Sequence, residues 1–406
     1  MATFSYQVMD SNGKTLKGRV EAETQDQATS ILQQRRYLVM KVSRVSTAGS
    51  GDLLVRWKRV NLQALVVFSR QFATMINAGV AISRSLDILA NQANDPILKP
   101  AIIAARQDLL AGSTLTDALS KHPKCFGPLY VSMIRAAEVG GILDTTLNRL
   151  SQFLEKESET RQKVKAAMMY PCVILVFSLL LTSALMVFIL PKFAEIFVSM
   201  NVDLPLPTKI LFAISNGMQN YWYMLFITPV VVFIGLKKYI ATPRGRWQMD
   251  FVKLRAILVG PLILKMSISR FARTFGTLIN SGVPMMRALE IVAESSGNLV
   301  LSNAINSARN SVREGQKISS PLQASGWFPM MVCQMIDIGE ETGRLSDMLT
   351  KISDFYDTEV DSAIKGLTSL IEPIMIVGLG ILVGFIAISL MSPIFALQKA
   401  LATGKH

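Results

Sequence analysis

Residues 68–90 read FSRQFATMINAGVAISRSLDILA, and residues 271–293 read FARTFGTLINSGVPMMRALEIVA. Of these 23 paired positions 12 are identical, far more than unrelated segments share. The match extends outward. Ala105-Arg106 pairs with Ala308-Arg309, and then, one residue out of step, Glu138-x-x-Gly141-x-Leu143 pairs with Glu340-x-x-Gly343-x-Leu345. Phe153 and Phe355, Glu157 and Glu359, and Pro171 and Pro373 follow. Self-similarity of this kind marks a structural unit built twice. Each copy ends at a proline that opens an apolar run, so the chain reads as a duplicated module anchored in a membrane.

Half of the 406 residues are apolar, but they are bunched. Cys172 to Leu190 holds no charge, and neither does Ile374 to Phe395. At about 1.5 Å per residue each run is long enough to cross a hydrocarbon layer of about 30 Å. A third candidate, Tyr221 to Leu236, is shorter and contains Thr228 and Pro229. Tyr221, Trp222 and Tyr223 form an aromatic belt at one end of it, and Lys237-Lys238 flank the other. The expected organisation is therefore a small domain at 1–45, a linker at 46–60, a helical repeat at 61–170, and a span at 171–191. An outer segment at 192–220, a span at 221–238, a second repeat at 239–372, a span at 373–395 and an outer tail at 396–406 complete it.

Charge orients these spans. Lys156, Arg161, Lys163 and Lys165 precede the first, and Lys237, Lys238, Arg244, Arg246, Lys253 and Arg255 follow the second. The segment between them carries only Lys192 and Lys209. Because basic residues concentrate on the cytoplasmic side, both repeats are expected inside the cell and the outer segment and tail outside. The N-terminus is polar, with no early apolar run that would read as a signal peptide. The net charge of +13 raises nucleic acid as a partner, but the positive residues are scattered among acids and gather at membrane ends. No nucleic-acid role is expected.

Within the first domain, Phe4 to Met9 alternates as a strand, Asp10-Ser11-Asn12-Gly13 reads as a hairpin turn, and Thr15 to Ala22 as the return strand. Thr24-Gln25-Asp26-Gln27 opens a helix by its capping pattern, and Tyr37 to Val45 reads as a third strand. The result is a ββαβ appendage, followed by the loose stretch Ser46 to Asp52. From Asn61 the period becomes helical, with Phe68, Phe72, Met75 and Ile76 on one stripe and Gly79 closing the helix, as Gly282 does in the second repeat. Further helices are expected near 83–93, 98–111, 115–121 and 128–139. No helix breaker lies between Asp144 and Pro171, nor between Ser346 and Glu372, so one helix in each repeat is expected to pass from cytoplasm into membrane.

Catalytic signals are wanting. Gly13-Lys14-Thr15 resembles the end of a phosphate-binding loop, but such a loop needs Gly where Val8 stands. Gly378-x-Gly380-x-x-x-Gly384 lies inside a membrane span, where Gly380 and Gly384 offer a small-residue face for helix packing. His122 and His406 are the only histidines, and Cys125, Cys172 and Cys333 have no metal-ligand spacing. No metal, cofactor or enzymatic role is expected. The spans carry no Asp, Glu, Lys or Arg in their interiors, which argues against an ion path. A receptor or transporter subunit, the alternative from another class, would show an outer ligand-binding domain or an intramembrane charge.

What stands out is charge placed alike in both repeats: Arg70/Arg273, Arg84/Arg287, Asp87/Glu290, Arg106/Arg309, Glu138/Glu340 and Glu157/Glu359. Glu138 and Glu340 each follow an apolar helix just before a glycine turn, where the helix dipole disfavours an anion. Some group must offset that cost, and Arg70 or Arg273 of the same module is the expected partner. Two roles are open for these charges, ion pairs within a module and contacts to a binding partner.

The duplicated F-x-R segment with its I-x-x-G-V ending, the two E-x-x-G-x-L turns, and the approaches Met169-Tyr170-Pro171 and Glu372-Pro373 resemble the PilC/GspF platform family. These are inner-membrane components of type IV pilus and type II secretion machines. The resemblance covers nearly the whole chain. It implies two six-helix cytoplasmic domains, three spans, self-association, and a non-enzymatic role as the base on which pilin or pseudopilin subunits are added or removed. It further implies a cytoplasmic hexameric ATPase and other inner-membrane assembly components as partners. The first repeat departs from the second in having Ala81 for Pro284 and Ala137 for Gly339, so the halves are not expected to be interchangeable.

The charge bias makes a direct prediction. In a cysteine-free version, single cysteines at Ser199 and Thr403 should react with an impermeant thiol reagent on intact cells, while one at Ser302 stays protected. Reaction at Ser302 would overturn the orientation.

Overall fold

The computed structural model of the chain describes residues 2–9, 15–22, 25–34, 38–44, 60–199 and 205–403. The expected hairpin turn at 10–13, the Gly13-Lys14 pair, Thr24, Tyr37, the 46–52 stretch, Leu204 and the tail beyond Thr403 lie outside the described residues. The chain forms two compact units, residues 1–60 and 61–406.

The first unit runs strand β1 (Ala2–Met9), strand β2 (Thr15–Ala22), helix α1 (Gln25–Gln34) and strand β3 (Leu38–Arg44). Both neighbours pair antiparallel with β1, which is central in the order β2-β1-β3. Val8, facing Leu16 on one side and Val39 on the other, is fully buried, and Leu32 of α1 is buried with it. A single helix thus completes a core that the sheet alone lacks.

The second unit is helical. The first repeat comprises α2 (Leu62–Asn77), α3 (Ile82–Gln92), α4 (Leu98–Leu110), α5 (Leu115–Ser120), α6 (Pro128–Gly140) and α7 (Leu143–Ala184). A π-helical turn (Leu185–Ile189) joins α7 to α8 (Leu190–Ser199), and α9 (Leu206–Asn220), α10 (Trp222–Ile240) and α11 (Pro243–Arg255) follow. The second repeat comprises α12 (Gly260–Asn280), α13 (Met285–Ser295), α14 (Leu299–Arg313), α15 (Ser319–Ala324), α16 (Met330–Glu341) and α17 (Leu345–Thr403). Each helix from α2 to α7 has its counterpart from α12 to α17.

The same residues build both cores. Phe68 stacks on Phe72 at 5.6 Å and meets Phe126 at 5.8 Å; Phe271 meets Phe275 at 5.9 Å and Phe328 at 5.1 Å. All six rings are buried, and each such pair contributes about 0.5–1.5 kcal/mol beyond the area it removes from water. Gly79 and Gly282 close α2 and α12 with φ of +78° and +77°, a conformation that only glycine adopts without steric cost.

Among the described residues two helices are long and apolar enough to cross a membrane, at Leu143–Ile196 and Leu345–Phe395. Both run through their proline, Pro171 or Pro373, without a break. Beyond the helical modules they advance side by side in the same direction, Lys163 beside Asp361 and Met186 beside Ile386. Midway they part around an apolar groove of about 430 Å³, lined by residues such as Phe177, Leu181, Leu382 and Val383. At their far ends α9 bridges them, its Leu211 and Phe212 packed with Met186, Leu190 and Leu390.

The bridge is made with hydrogen bonds that two prolines require. Pro393 has no N–H, so the Ser389 carbonyl four residues earlier loses its helical donor; Thr208 Oγ1 of α9 donates to it at 2.6 Å. In the π turn the Leu190 N–H bonds to Leu185 O, and Pro191 again has none to give, which leaves the Met186 carbonyl free. Ser215 Oγ donates to that carbonyl at 2.6 Å, and Gln219 Nε2 to Val187 O at 3.3 Å. One face of α9 therefore satisfies backbone oxygens that would otherwise be buried without partners. Thr208→Val keeps the shape and removes the donor, so it should destabilise this end by about 1–3 kcal/mol. A lower melting temperature of the detergent-solubilised protein is the expected result.

Candidate functional site

Each long helix is rooted by its E-x-x-G-x-L turn. The short helix α5 begins with unsatisfied backbone N–H groups. Glu138, from the last turn of α6, accepts from Leu115 N at 2.6 Å, from Thr116 N at 3.0 Å and from the Thr116 hydroxyl. In the second repeat Glu340 accepts from Ile318 N at 2.9 and 3.0 Å and from Ser319 N at 3.3 Å, at the start of α15. Gly141 and Gly343 then reverse the chain at φ of +67° and +69°, and Leu143 and Leu345 begin the long helices. The motif is a root: a carboxylate binds the preceding short helix, a left-handed glycine turns, and the rod leaves at a set angle.

This corrects the expected partner of the two glutamates. Their cost at a helix C-terminus is offset by the positive N-terminus of a short helix, and neither Arg70 nor Arg273 is used. Arg70 pairs with Glu155 at 3.5 Å, and Arg273 binds Asp357. These acids occupy matching positions on α7 and α17, so the repeat alignment that pairs Glu157 with Glu359 carried the signal for Glu155 and Asp357 as well. Arg106 pairs with Asp87 at 3.1 Å, and Arg309 approaches Glu290 at 3.8 Å. Arg287 also reaches Glu290, at 2.7 Å, whereas Arg84 is exposed without an ion pair among the described residues. Gly380 and Gly384 have open space where a Cβ would stand, so none of the described helices fills that face. Pro171 and Pro373 lie where α7 and α17 leave their modules; Pro171, with Tyr170 and Glu372, lines a cavity of about 460 Å³ between the two helices.

The two repeats are brought together by a charged seam that sequence reasoning did not foresee. The first repeat lays α6 and α7 across α12 and α13 of the second. Glu157, only 12% exposed, pairs with Arg270 at 3.0 Å, and Arg149 donates to the backbone oxygen of Asn280. Lys163 pairs with Asp361 at 2.8 Å and with Glu159 at 3.0 Å. Those two carboxylates, Asp361 first, hold the Lys163 ammonium above its ordinary range. Just beyond, Val164 and Ala167 pack with Val360 and Ile364, an apolar seal where the two rods come together. Cys125 and Cys333 are buried, and burial, helped by Asp95, pushes the Cys125 thiol up to about 11. What the arrangement can do is mechanical, since displacement of either module is carried along helices fixed to one another at the seam and at α9.

Such a chain is a duplicated helical protein whose repeats each end on a rod able to enter a membrane. Residues 68–191 and 271–393 each match the family described as type II secretion system (T2SS) protein F, and residues 1–43 match the N-terminal domain of that protein. The chain belongs to the T2SS protein F family. It is similar to the type IV pilus assembly protein PilC of Myxococcus xanthus, with 38% identity covering 98% of this chain and 96% of that one. The PilC of Thermus thermophilus is 36% identical, covering 99% and 100%. The type II secretion system protein F of Pseudomonas aeruginosa is 30% identical, covering 98% and 99%.

If the roots hold as described, Glu340→Ala should cost about 1–3 kcal/mol by stranding the N–H groups of α15, and Glu340→Gln, which keeps one acceptor, should cost less. Thermal unfolding of the solubilised protein followed by circular dichroism measures both. Equal melting of all three proteins would remove the capping role.

Proposed function

We propose that this chain is the inner-membrane platform of a type IV pilus assembly machine. In this reading two six-helix cytoplasmic bundles and the small ββαβ domain face the cytoplasm. Three helices cross the membrane, α10 being the third, and residues 192–220 and the tail lie outside. The protein is not an enzyme and carries no cofactor. A cytoplasmic hexameric ATPase supplies the work, pilin subunits are the load, and other inner-membrane assembly components and further copies of the chain complete the machine.

The observation that carries this reading is helical continuity. A helix of 42 residues and one of 59 residues each begin inside a polar module and continue into an apolar run, so a push on a module is not absorbed by a linker. Relatives bearing pilus assembly names at 38%, 36% and 33% identity favour the pilus context. The equivalent component of a type II secretion system is the second reading, favoured by secretion relatives at 30% and 31%. Neighbouring genes decide between them: a retraction ATPase and a major pilin indicate a pilus, a secretin and pseudopilins indicate secretion.

Coupling is tested by breaking the rods. A three-glycine insertion after Glu159 or after Asp361 rotates the helix beyond it by about 300° at 3.6 residues per turn. Normal membrane levels and ATPase binding with no surface pili and no secreted substrate are the expected outcome. Normal piliation or secretion in both variants would leave the protein a passive scaffold.

A further inference from the structure

The two repeats are alike in sequence but not in surroundings. The ion pair Arg273–Asp357 has side chains 13% and 18% exposed, because α7 of the first repeat lies over it; Arg70–Glu155, its counterpart, has side chains 53% and 40% exposed. Phe153 of α7 is partly covered in that seat, beside Arg273 and Gly276, while its counterpart Phe355 on α17 is 47% exposed. The contact between repeats is thus head-to-tail. The back of the first (α6, α7) meets the front of the second (α12, α13 and the side of α17 that carries Asp357 and Asp361). This leaves, among the described residues of the second unit, the matching front (α2, α3 and the side of α7 that carries Glu155 and Glu159) and the outward side of α16 and α17 that carries Lys351, Phe355 and Lys365 without a partner repeat.

We infer that the open back of one copy seats on the open front of another, repeating between chains the contact made within each. The residues of the inner seat recur at the outer one. Lys351 stands in the place of Arg149, Phe355 in that of Phe153, and Lys365 in that of Lys163. On the receiving face Asn77 stands for Asn280, Ala73 for Gly276 and Glu159 for Asp361. One contact changes: Val67, 46% exposed, replaces Arg270, and Glu359, the counterpart of Glu157, pairs instead with Lys265 of its own module. The outer seat therefore exchanges an ion pair for apolar contact, giving exposed Val67 and Phe355 a place to be buried. Because α7 and α17 run in the same direction, a copy added by this relation keeps both of its rods aligned with those of its neighbour, so copies can assemble within one membrane. A heterologous contact of this kind closes into a ring or continues as a row, never as a two-fold dimer.

The inference rests on the platform reading only in requiring that copies associate. Two differently tagged cysteine-free forms are co-expressed, one carrying Asn77→Cys and the other Lys351→Cys, and oxidised in native membranes. Arg149→Cys with Asn280→Cys in one chain, where the Arg149 side chain reaches the Asn280 backbone oxygen, is the control for what this spacing allows. A disulfide between the two tags is expected, with none between two Asn77→Cys chains or two Lys351→Cys chains. Phe355→Arg should at the same time shift the solubilised particle toward the mass of a single chain by native mass spectrometry, without lowering its melting temperature. Homotypic disulfides, or no disulfide where the control forms one, overturn the proposed seat. If the two tags still co-purify, self-association stands and only this surface fails; if they do not, self-association itself is refuted.

Discussion

Each repeat ends on a helix that must satisfy two solvents along one axis. Its first half carries Leu147, Leu150 and Leu154 into a module core, or Leu349, Ile352 and Tyr356 in the second repeat. Its second half exposes residues such as Phe177, Leu180, Ile376 and Ile381 to surroundings that have to be apolar. A rod of this kind transmits nothing unless it is held where it starts. The glutamate, glycine and leucine of the turn supply that hold, with the carboxylate spending its charge on the backbone of a neighbouring short helix. The rest of the molecule is arranged around these roots.

Duplication gave the protein two corresponding rods, and the seam sets them in unequal surroundings. Glu157 reaches across to Arg270, whereas Glu359 turns inward to Lys265. The same ion pair is shielded in one module and open to water in the other, where an exposed pair contributes little to stability. Gly339 and Gly276 in the second repeat admit closer packing than Ala137 and Ala73 allow in the first. A Cβ on Gly339 would stand 2.9 Å from the Leu345 Cα, and one on Gly276 would stand 3.2 Å from the Leu349 Cβ. The more tightly packed module is the one that receives the other.

The far ends of the rods obey a different constraint. Pro191 and Pro393 each interrupt the helical ladder, and in a setting without water a freed carbonyl needs a protein donor. Thr208, Ser215 and Gln219 lie along one side of α9 and provide those donors, while Leu211 and Phe212 provide apolar contact. The segment between the first two apolar runs, too short for a domain of its own, is thereby a crosspiece that ties two rods together.

Repetition, apolar runs, basic flanks and glycine stops are local or periodic properties, and they were readable from the chain itself. They gave the duplicated helical modules, the helices near 83–93 and 128–139, the two long rods and the family. Partners across space were not readable, because helical periodicity says which face is buried but not what covers it. Glu138 and Glu340 stand out in the chain as anions at an unfavourable helix end. Their partners were hidden because the backbone of a short helix leaves no mark in side-chain identity. The seam was hidden for a related cause: two similar repeats can pack front to front or back to front, and their sequences permit both. Tertiary structure alone decided that Glu157 meets Arg270, that Lys163 meets Asp361, and that Val67 and Phe355 are left exposed where their counterparts lie at the seam.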